Sequence, residues 1–264
     1  RQRQMCIRDR AKRVIDEGGY AVGTKSDLTG GMNSLDKQNV MWGAGIQVAD
    51  QAGGYAGFFT HMDNKEGAYA KSAPKLISKQ LYNRISATDI RRDWWDPSDK
   101  ESPYVSKKFS FANVASFLGD YIYMRVEEMY FTAAEAALRL DDLKSARELM
   151  NTVMAERDPG YSANNRSGTL LGATTTTWTG SFLENILTHR RIELWGEYGR
   201  LFDVRRLGQG IDRRTDDGFS EECISMMNRR NVNITKADTY DWVLTIPKAE
   251  LDANPNINEE DQNP

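Results

Sequence analysis

The chain has 264 residues, of which 28% are charged and 39% hydrophobic, with a formal net charge of −3. That length and balance suit one or two globular domains with a substantial core; they exclude a disordered chain and a dedicated nucleic-acid binder, which would carry a basic face. No apolar run approaches the roughly 18 residues of a membrane helix, and Cys6 and Cys223, without CxxC spacing, make neither a disulfide framework nor a zinc site.

The opening RQRQMCIRDR (residues 1–10) lacks the apolar stretch of a signal peptide and reads as a non-native leader, so native sequence is expected from Ala11. AKRVIDEGGYAV (11–22) predicts a helix stopped by Gly18 and Gly19. Residues 23–119 read as a loop-rich region with a strand-like run at NVMWGAGIQVA, a helix at PKLISKQLYNRI and a short strand at YVSKKFSF. From Asp120 onward Ile122, Val126, Met129, Tyr130, Ala133, Ala134, Ala137 and Leu138 keep helical spacing. A break at Asp141 and Asp142 leads into a second amphipathic helix, LKSARELMNTVMAER. This pair, at about 120–158, has small residues at its crossing and predicts a tetratricopeptide-like hairpin. A long helix is expected at about 181–207, and YDWVLTIPKAEL predicts a short strand, a proline stop and a turn.

The long helix contains HRRIELWGEYGRLFDVRRLGQG (189–210), where ions alternate with large apolar residues. Glu193 and Glu197 form a like-charge i,i+4 step, unfavourable on an isolated helix. Structural ion pairs would resolve it, with Arg190, Arg200, Arg205 or Arg206 reaching Glu193 and Glu197 or carboxylates of neighbouring elements such as Glu127, Glu128 or Glu135. A catalytic carboxylate pair is the competing reading; charges interleaved with a core stripe favour packing.

Three segments carry a further signal. YMRVEEMYFTAAEAALRLDDLKSARELMNTVMAER contains Arg-x-x-Glu and Ala-Glu-Ala, then Asn-x-x-x-x-x-Arg; the 189–210 stretch contains Arg-Arg-x-Glu-Leu and Glu-x-x-Arg-x-x-Asp-x-x-Arg. WVLTIPKAELDANPNINEEDQNP ends the chain on Ile-Pro, Glu-Leu, Asn-Pro and Gln-Asn-Pro, and upstream LYNRISATDIRRDWW holds Asp-x-Arg-Arg. In this order they resemble the SusD/RagB family of surface glycan-binding lipoproteins, with residues 11–264 similar to the C-terminal part of a single SusD-like domain. His189 stands where the family usually has Glu, so one ion pair there is expected to be lost or rearranged.

The resemblance implies a mainly α fold: a tetratricopeptide-like helical scaffold with long irregular ligand loops and a few short strands. It also implies non-enzymatic capture of an oligosaccharide at the cell surface, facing outward from the outer membrane. Delivery would be to a SusC-like, TonB-dependent transporter. Membrane attachment would be through a lipid anchor on a cysteine outside this sequence, with no cofactor, metal or nucleic acid. A tetratricopeptide-type adaptor binding only protein and a glycan-cleaving enzyme are the alternatives.

Sugar binding needs aromatic faces with a few polar groups beside them. Trp94, Trp95 and Asp96, in a loop expected to turn at least one indole outward, and Tyr55 and Phe58, beside glycines, are the candidate ligand residues. Trp42, inside a strand-like run, reads as core.

Overall fold

The computed structural model describes residues 1–50, 56–171, 179–197, 199–209 and 244–262. Its contacts divide the chain into two units, Arg1–Leu171 with Thr179–Tyr198, and Gly172–Trp178 with Gly199–Pro264. Helices dominate and the strands are few and short, so the mainly α class expected from the sequence holds.

In the first unit, α1 (Gln2–Glu17) runs through the segment read as a leader and stops where expected, at Gly18 and at Gly19 with φ +74°. Short helices α2 (Lys25–Thr29), α3 (Phe58–Met62), α4 (Ala68–Ser72) and α5 (Lys79–Tyr82) punctuate the loop-rich region. The hairpin follows as α6 (Val126–Arg139) and α7 (Leu143–Ala155), turned at Asp141 (φ +67°), with the Asp142 side chain capping α7 at Ser145 N. Ala133, Ala134 and Ala137 are buried on α6, and their small side chains let α1 and α7 approach closely. Around them Phe131, Leu149, Met150, Val153, Phe182 and Ile186 close one core.

The strands form two ribbons. β1 (Val40–Ala44) pairs antiparallel with β4 (Tyr121–Arg125), and β2 (Trp95–Asp96) with β3 (Val105–Ser106). Helical spacing from Asp120 was thus misleading for five residues. Tyr121 to Arg125 are drawn into the ribbon, and the helix starts only at Val126, whose N–H bonds Asn39 O. The β1–β4 register shifts on either side of Trp42, as a bulge does when it re-aims a side chain. Trp42 is accordingly 62% exposed and not the core residue expected. A second core gathers Leu28, Phe59, Ile77, Leu81, Phe109 and Ile192.

The helix expected over 181–207 is broken. α8 (Phe182–Glu193) ends in a turn holding Gly196 at φ +74°, and α9 (Arg200–Arg206), preceded by Gly199 at φ +91°, belongs to the second unit. In that unit α10 (Lys248–Ala253) replaces the turn expected after Pro247, whose φ of −55° suits a helix start. Of the strand expected before it, residues 240–243 lie outside the described residues, and Leu244 to Pro247 form no strand.

Gly196 illustrates why the turn needs glycine. A Cβ there would sit 2.7 Å from a Phe109 ring carbon and 2.8 Å from the Met62 methyl, on a backbone that other residues adopt only with strain. Gly196→Ala is expected to lower stability by about 1–3 kcal/mol in denaturant unfolding. Gly168→Ala, also at positive φ but with open space around it, isolates the backbone part of that cost.

Candidate functional site

The ions of α8 answer to cations from three distant segments. Glu193 is fully buried, and its Oε1 accepts from Arg125 Nη1 (3.0 Å) and Arg157 Nη2 (3.1 Å). Its Oε2 accepts from Arg91 Nη1 (3.1 Å) and Arg157 Nε (3.0 Å). Burial alone would raise its pKa; the Arg157, Arg125 and Arg91 charges hold it well below the usual carboxylate range. Asp89 takes Arg91 at 2.6 Å, and Glu127 takes Arg157 at 2.8 Å and Arg125 at 3.1 Å. Glu197 takes Lys108 at 2.6 Å and Arg125 at 2.7 Å. Four cations, Arg91, Lys108, Arg125 and Arg157, therefore meet four carboxylates, Asp89, Glu127, Glu193 and Glu197.

From the sequence, cations such as Arg190 and Arg200 are expected to reach Glu193 and Glu197; the cations that do so are Arg91, Lys108, Arg125 and Arg157, while Arg190 lies 2.7 Å from Glu128. Arg200 departs from the expectation: its side chain reaches Gln209 at 3.5 Å, and among the described residues it has no carboxylate within salt-bridge distance. Glu135 pairs within α6, with Arg139 at 2.8 Å. Glu193, fully buried and with all four acceptor positions filled, has no geometry for one of two carboxylates flanking a glycosidic bond.

His189 makes a neutral contact to the cluster. Its Nδ1 lies 2.9 Å from Arg91 Nη2, and since a guanidinium only donates, Nδ1 must accept and the proton sits on Nε2. Burial, then the Arg91 and Arg166 charges, push the imidazole well below its ordinary pKa. Lys108, buried beneath the turn after α8, donates to Glu193 O (2.7 Å), Trp195 O (2.9 Å) and Glu197. Burial brings its pKa down to about 8, with Glu197 opposing.

The expected ligand residues scatter. Trp94 and Trp95 are only 4% and 2% exposed, a correction to the outward-facing loop. Asp89 caps a 3-10 turn, Ile90–Trp94, in which Arg91 points into the ion cluster, and that inward pull carries both indoles into the core. Lys108 Nζ covers Trp94 at 4.5 Å, and Trp195 meets Trp95 edge to face at 5.7 Å. Neither ring offers a face to a sugar. Asp96 is half-buried between a polar groove of about 560 Å³ and a mixed one of about 730 Å³, its carboxylate accepting from Ser98 and facing Lys107 at 3.8 Å. Tyr55 lies outside the described residues.

Phe58 is differently placed. With Met32, Phe109, Tyr121 and Tyr123 it lines an apolar recess of about 150 Å³ whose wall also includes Glu197. Tyr123, 40% exposed, meets the exposed Trp42 at 5.0 Å with ring planes inclined at 61°. Two aromatic rings thus stand in solvent on the β1–β4 ribbon beside a recess with one carboxylate. The sequence signal for Trp42 and Tyr123 was hidden by the bulge, which no spacing rule reveals.

A SusD family model matches residues 96–264. The chain is similar to a SusD-like carbohydrate binding protein from Bacteroides vulgatus (25% identity, TM-score 0.62), covering 80% of this chain and 43% of that one. It shares its fold with a SusD superfamily protein from Bacteroides thetaiotaomicron (22% identity, TM-score 0.72, 100% and 57% covered). The fold is likewise that of surface glycan-binding protein A from Bacteroides uniformis (18% identity, TM-score 0.58, 99% and 57% covered). The chain therefore spans about half the length of these structures. No curated protein matches it.

The cluster yields two expectations. Glu193→Ala strands three buried arginines and should destabilise by about 3–5 kcal/mol in chemical denaturation. His189, neutral when folded, takes up a proton near pH 6.5 only when unfolded, so stability is full above about 6.5 and falls below it. The slope should reach at most about 1.4 kcal/mol per pH unit and vanish in His189→Gln, measured by melting between pH 7 and 5. Losses from Glu193 and Glu197, whose pKa values are depressed, begin only below about pH 4.3.

Proposed function

Because the chain belongs to the SusD family, we propose that it captures an oligosaccharide without cleaving it. The capture site is the outward face of the outer membrane, and the bound glycan passes to a SusC-like, TonB-dependent transporter. The observation that carries the binding reading is the exposed Trp42–Tyr123 pair beside the recess lined by Phe58. A pyranose presents an apolar face to an aromatic ring and hydroxyls at its edge, and large exposed aromatics beside a cavity match that demand. The carbohydrate-binding description of the Bacteroides vulgatus relative supports the same substrate class. No helix among the described residues is long and apolar enough to cross a membrane, and attachment through a lipid anchor is part of the proposal.

Phe58 stays in the proposed ligand surface, Trp42 and Tyr123 are added to it, and Trp94 and Trp95 leave it. Trp42→Ala removes an exposed ring with little packing, so folding should survive while glycan affinity falls by roughly 2 kcal/mol. Titration calorimetry against gluco-, xylo-, manno- and galacto-oligosaccharides measures this. Unchanged affinity of a binding sugar for Trp42→Ala and Tyr123→Ala together would place the capture site elsewhere.

A further inference from the structure

Glu197 faces two environments. It is the outermost carboxylate of the buried cluster, 8% exposed, and it lines the recess beneath Phe58 and Tyr123. An ionised carboxylate offers about four acceptor positions, two per oxygen. Oε1 uses both, on Lys108 Nζ at 2.6 Å and Arg125 Nη2 at 2.7 Å. Oε2 uses one, on Arg125 Nε at 2.9 Å. Among the described residues one acceptor position of Oε2 is left, on a residue whose other neighbours in the recess are mostly apolar.

The group is also immobile and charged. Burial would raise its pKa, but Arg125 and Lys108 hold it below the ordinary carboxylate value, so it is ionised at neutral pH. Lys108 is itself tied to two carbonyls, so the pair cannot swing away to follow a ligand.

We propose that Glu197 is a specificity residue of the capture site, accepting a hydrogen bond from one hydroxyl of a neutral sugar seated in the recess. This rests on the capture reading above. The preference for a neutral sugar follows from charge: the carboxylate repels a uronate, and both cations beside it already face carboxylates. A hydroxyl donated to an ionised acceptor is worth more than one donated to a neutral group, and the fixed position of Oε2 selects which hydroxyl it can be.

The test compares neutral gluco-, xylo-, manno- and galacto-oligosaccharides, galacturonate oligomers, and monodeoxy analogues of whichever neutral sugar binds, all titrated against the chain. One deoxy position should weaken binding by roughly tenfold or more, and galacturonate oligomers should bind worst. Glu197→Gln, checked for an intact melt, should bind that deoxy analogue and its parent alike; a purely structural role would weaken both equally and keep the ratio. If no deoxy change costs the wild type more than about twofold, or the uronates bind best, the inference fails even without the variant. Binding that needs Trp42 but shows no Glu197-dependent hydroxyl overturns this inference alone. No binding by any sugar tested counts against the capture reading and takes this one with it.

Discussion

One buried carboxylate organises the first unit. Glu193 has four acceptor positions and fills them from Arg91, Arg125 and Arg157. Each ion alone would cost several kcal/mol to remove from water. Together they become tolerable only when every guanidinium is in register, so α8, the strand ending at Arg125, the C-terminal end of α7 and the 3-10 turn after Asp89 must arrive at one point. The apolar residues between those ions supply the burial that keeps the local dielectric low. The mixture of ions and large hydrophobics in the 189–210 stretch follows from that double requirement.

The same cluster roots the aromatic surface. Arg125 closes β4, and Asn39, just before β1, donates its side-chain amide to Glu127 at 2.9 Å. Both strands of the ribbon are thereby anchored at one end in charge, while Trp42 and Tyr123 stand further along it in solvent. Glu197 extends the cluster by one turn to the wall of the recess. An aromatic surface on an otherwise short two-stranded ribbon, marginal in isolation, gains its rigidity from buried ions.

The hairpin could be read from residues because helical spacing and small crossing residues are local properties; α6 and α7 lie where Ala133 to Met154 predict them. The motifs were legible as well: the arginines of Asp-x-Arg-Arg, Arg-x-x-Glu and Asn-x-x-x-x-x-Arg are Arg91, Arg125 and Arg157. Their convergence on one carboxylate was not, since nothing in linear spacing says that three segments meet. The candidate site fared worse. Trp94 and Trp95 share polar, turn-like neighbours with many exposed tryptophans, and the loop pattern is blind to Arg91 drawing the segment inward. Trp42 sits in a strand-like run that favours burial, and the shifted register turns it out.

By itself the sequence determined the family, the helical class, the hairpin and the need for ion pairing along 189–210. Each depends on neighbours in the chain or on motifs short enough to be read directly. Only the tertiary structure decided which cations answer Glu193 and Glu197, which tryptophans face solvent, and that the long helix ends at Glu193 in the turn holding Gly196. Those outcomes depend on desolvation and close approach between residues far apart in sequence. Gly196 accepts its φ of +74° against Phe109 and Met62, a constraint that exists only once those side chains are in place.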